Sequence, residues 1–171
     1  MAADEDGNYE DVTKYTLDAE DEAQLMSAQN ECTFMWSTKD GWPVGVIMSY
    51  IHRDGKFWLT ASSQRARISA VRRDPRVCIA VTSTGSSMGP GKTVTYKGIC
   101  TVHDDAETKA WFYPALAEAF TDDPQRRENW VRFLDSPRRV ILEVDPGKRI
   151  AYDGAKMSAD TTTWLAANSS D

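Results

Sequence analysis

Trp58-Leu-Thr-Ala-Ser-Ser-Gln-Arg-Ala-Arg-Ile-Ser-Ala-Val-Arg-Arg-Asp-Pro-Arg-Val77 joins the end of one strand to a short helix and then to another strand. The run from Lys56 to Ser62 is strand-like, with aromatic and β-branched residues. Gln64 to Arg73 follows as a single short helix, and Asp74-Pro75 ends it, because the residue before a proline is pushed out of the helical region. Beyond it Val77, Ile79 and Val81 alternate with Cys78, Ala80 and Thr82, the period-two signature of a strand. Thr60, Ser62 and Ser63 bring hydroxyls to the first strand's end. Arg65 and Arg67 stand in the first helical turn, against the sense of the helix dipole. Backbone N–H groups, hydroxyls and guanidinium groups converging at a helix start suit a phosphate. Five arginines between Arg65 and Arg76 that merely solvate one helix and its exit account for the same residues, and both readings stand at this point.

Upstream, Glu31 to Ser37 and Val44 to His52 are also strand-like, and the Asp-Gly pairs at Asp40-Gly41 and Asp54-Gly55 signal hairpins. These two runs and Lys56 to Ser62 are expected to form an antiparallel meander. Asp18 opens a helix that runs to about Gln29, with acids in its first turn. Downstream, the glycine- and serine-rich loop Ser83 to Gly91 leads into Lys92 to His103, the longest period-two segment of the chain. Asp104 to Phe120 and Pro124 to Leu134 are helical in pattern, and Pro114 predicts a kink or a break in the first. Val140 to Val144 alternates, Pro146-Gly147 predicts a turn, and Arg149 to Tyr152 reads as a last strand. The fold class expected is mainly β, with α+β character: one antiparallel barrel of six to seven strands with short peripheral helices. Its expected divisions are an acidic, flexible arm over residues 1–17, the barrel over 18–153, and a tail over 154–171 without a clear pattern.

At 171 residues the chain is about one domain long, and 41% hydrophobic with 27% charged residues excludes collagen-like, disordered and disulfide-scaffold classes. There is no apolar run of the roughly 20 residues a membrane helix needs, and the start lacks a signal-peptide pattern, so a cytoplasmic protein without a membrane partner is expected. Cys32, Cys78 and Cys100 lie far apart in apolar runs, as buried free thiols do. The net charge of -6 is uneven. Residues 1–22 hold nine acids against Lys14, a balance of -8, which leaves +2 for the rest. An acidic leader on a nearly neutral body argues against nucleic acid, whose phosphates need a basic field.

Most motifs fail on spacing. Gly85 to Thr93 resembles a phosphate-cradling P-loop, but five residues separate Gly85 from Gly91 where four are needed, and the loop enters a strand instead of a helix. His52 and His103 lack paired metal-ligand spacing, so no metal site is expected. Neither a Gly-x-Ser-x-Gly nor a Gly-x-Gly-x-x-Gly pattern is present. Trp111, Phe112 and Tyr113 fit core or interface better than a cofactor cover, and Tyr152 to Met157 fits a plain chain reversal as well as a site for Lys156.

Taken in order, Asp40-Gly-Trp-Pro43, Lys56-Phe-Trp-Leu-Thr60, Arg65-Ala-Arg67, Arg73-Asp-Pro-Arg-Val77 and Val94-Thr-Tyr-Lys-Gly98 resemble the pyridoxamine 5'-phosphate oxidase-related, split β-barrel flavoprotein superfamily. The resemblance covers roughly residues 18–150. It implies a split antiparallel β-barrel and a homodimer with FMN, or a deazaflavin coenzyme, at the subunit interface. By position, Val46, Met48 and Ser49 resemble residues that line the flavin, and Leu59 and Thr60 the pair at the phosphate end. Arg65 and Arg67 resemble the phosphate-binding basic residues, with Ser63 among the hydroxyls beside them, and Thr93 falls where the oxidase proper has a glutamine. The basic residues of the oxidase's second strand and its C-terminal Arg-Leu-x-Pro have no counterpart here, which argues against that oxidase activity itself. The function implied is an FMN-dependent oxidoreductase acting on a small molecule, with no side chain nominated as catalytic. The alternatives are a deazaflavin-dependent reductase, for whose acidic tail Arg53, Lys56 and Arg73 are the candidate cations, and a non-enzymatic flavin- or haem-binding module.

Overall fold

Period-two burial shapes most of the sheet in the computed structural model, which describes residues 12–168. In chain order the elements are a 3-10 turn (Val12–Lys14), α1 (Ala19–Ala28), β1 (Glu31–Ser37), β2 (Pro43–Ser49), β3 (Ile51–Arg53) and β4 (Lys56–Ser62). Then come α2 (Ala66–Arg73), β5 (Arg76–Thr82), β6 (Lys92–His103), α3 (Ala106–Phe120), α4 (Pro124–Leu134), β7 (Arg139–Asp153) and α5 (Gly154–Asn168). The strands form one antiparallel sheet in the order β2-β1-β5-β6-β7-β4-β3, curled into a split half-barrel. The mainly β, split-barrel expectation is what the chain adopts.

Inward side chains of alternating parity fill the barrel: Phe34 and Trp36 from β1, Phe57 and Leu59 from β4, Ile79 and Val81 from β5, Leu142 and Val144 from β7. Ile68, Ala70 and Val71 of α2 join this core. A second cluster forms outside the barrel, where Phe112, Tyr113 and Leu116 of α3 and Leu134 of α4 cover Ile141 and Trp58. Among the described residues the outer face of β2, β1, β5 and β6 carries no helix layer of this kind. There the register aligns Ile47, Thr33, Ala80, Thr95 and Ile150 in one row, and Ile47 and Ile150 are 65% and 54% exposed.

Several elements differ from the sequence-based expectation. The run 44–52 is two strands, because the chain crosses at Tyr50 from one sheet edge to the other; β2 pairs with β1, and β3 with β4. Tyr50 is buried there, and its N–H donates to the Asn30 carbonyl at 3.0 Å. The expected turn at Pro146-Gly147 is instead an extra residue in one continuous β7. β7 bulges against β6 between the Tyr96 and Gly98 pairs, and Gly98 leaves space for it: a Cβ there would lie 2.7 Å from the Asp145 carbonyl oxygen. Pro114 sits inside an unbroken α3, on its exposed side, and Phe112, Tyr113, Leu116 and Ala117 hold the helix by packing. The tail is helical through Asn168. Asp153 accepts the Ala155 N–H at 2.9 Å, and Thr161, Thr162 and Thr163 donate their hydroxyls to carbonyls one turn back.

Of the arm expected over residues 1–17, residues 1–11 lie outside the described residues. Tyr15 and Leu17 are buried, and the Tyr15 carbonyl accepts the Asp153 N–H at 2.7 Å. Ion pairs tie the following segment down: Asp18 to Lys156 at 2.8 Å, Asp21 to Lys92 at 2.5 Å, and Glu22 to Arg149. Among the described residues no helix is long and apolar enough to cross a membrane.

Candidate cofactor site

The β4–α2 junction is built by two backbone ties. Ser63 N–H donates to the Arg138 carbonyl at 2.7 Å, and Arg65 N–H donates to the Ser62 carbonyl at 3.0 Å. Arg65 occupies the N-cap of α2 instead of its first turn, with no side-chain cap bond, and no acid stands in the first turn. The helix end therefore presents its positive pole without a counter-charge from its own residues. Because Ile68, Ala70 and Val71 draw α2 into the barrel mouth, Arg67 is drawn in with it. Its Nε is buried and has no hydrogen-bond partner among the described residues, while Arg65 stays exposed. Desolvation lowers the Arg67 pKa and the charge of Arg65 lowers it further, so the pair lacks a negative group to offset both.

Sequence reasoning missed two arginines here. Arg139 pairs in register with Ser62, the Arg138 carbonyl is tied to Ser63, and Arg139 Nε is buried with no hydrogen-bond partner among the described residues. Among the described residues none of Arg65, Arg67, Arg138 and Arg139 is in an ion pair. The Arg-Arg pair just before the 140–144 strand was visible in the sequence; what it faces depends on the β4–β7 pairing, which no local pattern signals.

The other sequence-predicted residues spread over three places. β2 and β4 approach one another without a ladder between them, which is the split in the barrel. On β2, Val46 and Met48 turn inward and pack on the barrel core, whereas Ser49 has the opposite parity and turns outward. Leu59 is fully buried, so its side chain belongs to the core and only its backbone is free for other work. Thr60 lies on the outer face and donates its hydroxyl to the Val140 carbonyl at 2.8 Å. Ser63 and Arg67 are half-buried at the junction. Thr93 is exposed and pairs with Tyr152, at the end of β7 opposite to Arg139. The structure thus gathers Ser63, Arg65 and Arg67 and leaves Thr93 apart from them.

The cations considered for a deazaflavin tail are engaged separately. Arg53 lies over the Trp111 ring at 4.6 Å, Lys56 pairs with Glu143, and Arg73 donates to the Ser37 carbonyl at 2.7 Å. Glu143 also bonds His103 Nε2 at 2.7 Å. Burial alone would raise the Glu143 carboxyl, but Lys56 and His103 outweigh it and hold the group below its ordinary value. Phe112 and Tyr113 are core residues, as expected. Lys156 is bound to the Thr16 carbonyl and to Asp18. Burial pushes the Cys32 and Cys100 thiols up to about 12, which makes them inert packing groups.

A family model for pyridoxamine 5'-phosphate oxidase matches residues 20–151. The chain belongs to the pyridoxamine 5'-phosphate oxidase family. No curated protein is a significant match. Among solved structures, a conserved hypothetical protein from Mycobacterium tuberculosis is similar with a TM-score of 0.72 at 18% identity, covering 85% of this chain and 91% of that one. An FAD-binding protein from Mesorhizobium loti gives 0.60 at 18% identity, covering 80% and 94%. An F420 reductase gives 0.56 at 17% identity, covering 74% and 94%. At these identities the structural neighbours share the family's fold and carry nothing finer.

Proposed function

We propose that the chain is an FMN-dependent oxidoreductase acting on a small molecule, with the cofactor phosphate held at the β4–α2 junction by Arg65, Arg67 and Ser63. One observation carries this reading: the buried, unpartnered Arg67 Nε beside a second arginine at an acid-free helix start. A phosphate fits that donor set in charge and in number of acceptors. The neighbours named for FAD and F420 support a flavin or deazaflavin in this fold, and the dispersal of Arg53, Lys56 and Arg73 favours the shorter FMN. Flavin, when bound, supplies hydride or electron transfer. The chain's part is to bind and orient it, with Val46, Met48 and Ser49 of β2 and the backbone of Leu59 and Thr60 along the split. Thr93 is assigned to the same cofactor only through a second copy of the chain, since it stands at the far end of β7. A homodimer closing over the row from Ile47 to Ile150 supplies that copy and covers the exposed face.

The test is titration of the purified protein with FMN, followed by flavin fluorescence. One charge-assisted hydrogen bond contributes about 1.5–3 kcal/mol, so Arg67→Ala weakens FMN binding about tenfold to a hundredfold. Arg67→Lys recovers part of this, keeping the charge and losing the forked geometry. Arg72→Ala, exposed on the same helix, binds as the wild type does. Arg65→Ala and Arg67→Ala both binding FMN as tightly as the Arg72→Ala control would place the phosphate elsewhere.

A further inference from the structure

The α3–α4 hairpin presents an aromatic groove of about 430 Å³, lined by Phe120, Thr121, Arg126, Asn129, Trp130 and Phe133. Phe120 and Trp130 stack nearly parallel, with ring centres 5.9 Å apart and 23° between planes, and Phe133 meets Trp130 edge-on at 85°. These three rings are 37%, 41% and 67% exposed, although aromatic rings of this size strongly favour burial.

Arginines flank the groove at two points. Arg139 places its guanidinium carbon 5.9 Å from the Phe133 ring centre, and its Nε is buried without a partner. The hydroxyl of Tyr113, itself 3% exposed and within the field of Arg139, is a second buried polar atom with no hydrogen-bond partner among the described residues. Arg126 makes no ion pair among the described residues. Most of the nearby acids have partners of their own: Asp123 accepts the Gln125 and Arg126 N–H groups as the cap of α4, Glu118 and Asp122 pair with Arg127, and Glu128 pairs with Arg132. Asp135 acts on Tyr113 and makes no ion pair with Arg139 among the described residues.

Parallel rings offer a stacking wall, the Asn129 amide offers donors and an acceptor, and the two arginines that flank the wall are in no ion pair among the described residues. A volume of this order takes a one- or two-ring molecule, not a peptide segment. We propose that this groove binds a small planar aromatic anion, its ring against Phe120 and Trp130 and its acidic group on Arg126 and Arg139. The proposal does not depend on the flavin reading, because its residues lie on α3, α4 and the first position of β7.

The test is calorimetric titration of the full chain with naphthalene-2-sulfonate, against the neutral 2-naphthol. The sulfonate binds more tightly than the naphthol. Trp130→Ala weakens the sulfonate about tenfold, as loss of a stacking partner does. Arg126→Gln and Arg139→Gln each weaken the sulfonate about threefold to tenfold while leaving 2-naphthol unchanged. Arg126 and Trp130 are exposed, so their variants keep the test sound even where Arg139→Gln folds poorly. Arg65→Ala and Arg67→Ala leave sulfonate binding intact, which separates this groove from the junction. Equal affinity for the two probes, indifference to Trp130→Ala, or loss of the sulfonate on Arg67→Ala would overturn the proposal.

Discussion

Gly98 faces the barrel interior at the point where β7 carries its extra residue, and a Cβ there would meet the Asp145 carbonyl oxygen at 2.7 Å and Val144 Cγ1 at 2.8 Å. Backbone atoms do not yield as side-chain ends do, so Gly98→Ala destabilises by about 1–3 kcal/mol, a fall of roughly 2–10 °C in the thermal midpoint. An unchanged midpoint would show that β7 moves aside freely. Asp153 is the other residue with outsized leverage: it is 2% exposed, bonds Lys92 at 3.1 Å and accepts the Ala155 N–H that begins α5. Burial alone would raise its carboxyl, but Lys92 and the two backbone N–H groups of Ala155 and Lys156 hold it below its ordinary value. With the folded-state pKa below the unfolded one, its contribution is complete above roughly pH 4 and is lost as the pH falls through the folded value. The urea midpoints of wild type and Asp153→Asn therefore differ most near neutrality and converge in acid. A gap that stays constant down to pH 2 would remove Asp153 from the acid response. The site was legible at this scale only where chemistry is local: Ser63, Arg65 and Arg67 lie within one turn of chain, whereas the backbone of Arg138 and Arg139 comes beside Ser62 and Ser63 through a strand pairing 77 positions away (139 − 62).

The segment from Tyr15 into α1 behaves as a strap, and magnitudes decide what holds it. Lys14–Asp160 and Asp18–Lys156 join largely exposed groups and contribute little. Tyr15 and Leu17, at 2% and 3% exposure, together contribute about 3–5 kcal/mol of apolar burial. Relative to a chain beginning at Val12, one beginning at Asp18 accordingly loses several kcal/mol in urea unfolding; equal midpoints for the two would mean the strap is ornamental to folding. The elements that the sequence announces share a strong local signal: alternation in β1, β5 and β6, and the Asp-Pro stop after α2. Those it hides lack one. α5 buries none of its residues, so no apolar period marks it. The break at Tyr50 sits inside an unbroken strand-like run, because crossing between sheet edges is a demand of the closed shape and not of the residues themselves. Pro146-Gly147 has turn chemistry that the facing Gly98 converts into a bulge.

At the scale of the molecule, the outer face of β2, β1, β5 and β6 is a large surface without a helical cover among the described residues. Two copies meeting there predict a solution mass about twice 19.1 kDa by light scattering, with Ile47→Glu shifting the protein to 19.1 kDa while its circular dichroism stays unchanged. A wild type that remains at 19.1 kDa at micromolar concentration would rule this dimer out. The sheet's two outermost strands, β2 and β3, are one run of chain interrupted at Tyr50. An outermost strand carries a row of idle N–H and C=O groups that will template whatever extended chain drifts by, the first step towards a fibril. Here a single residue tethers both rows so that each looks across the split towards the other. In a molecule whose core is a single sheet, the two borders on which misassembly would begin are thereby joined, and a cut in the backbone at Tyr50 would set both of them loose.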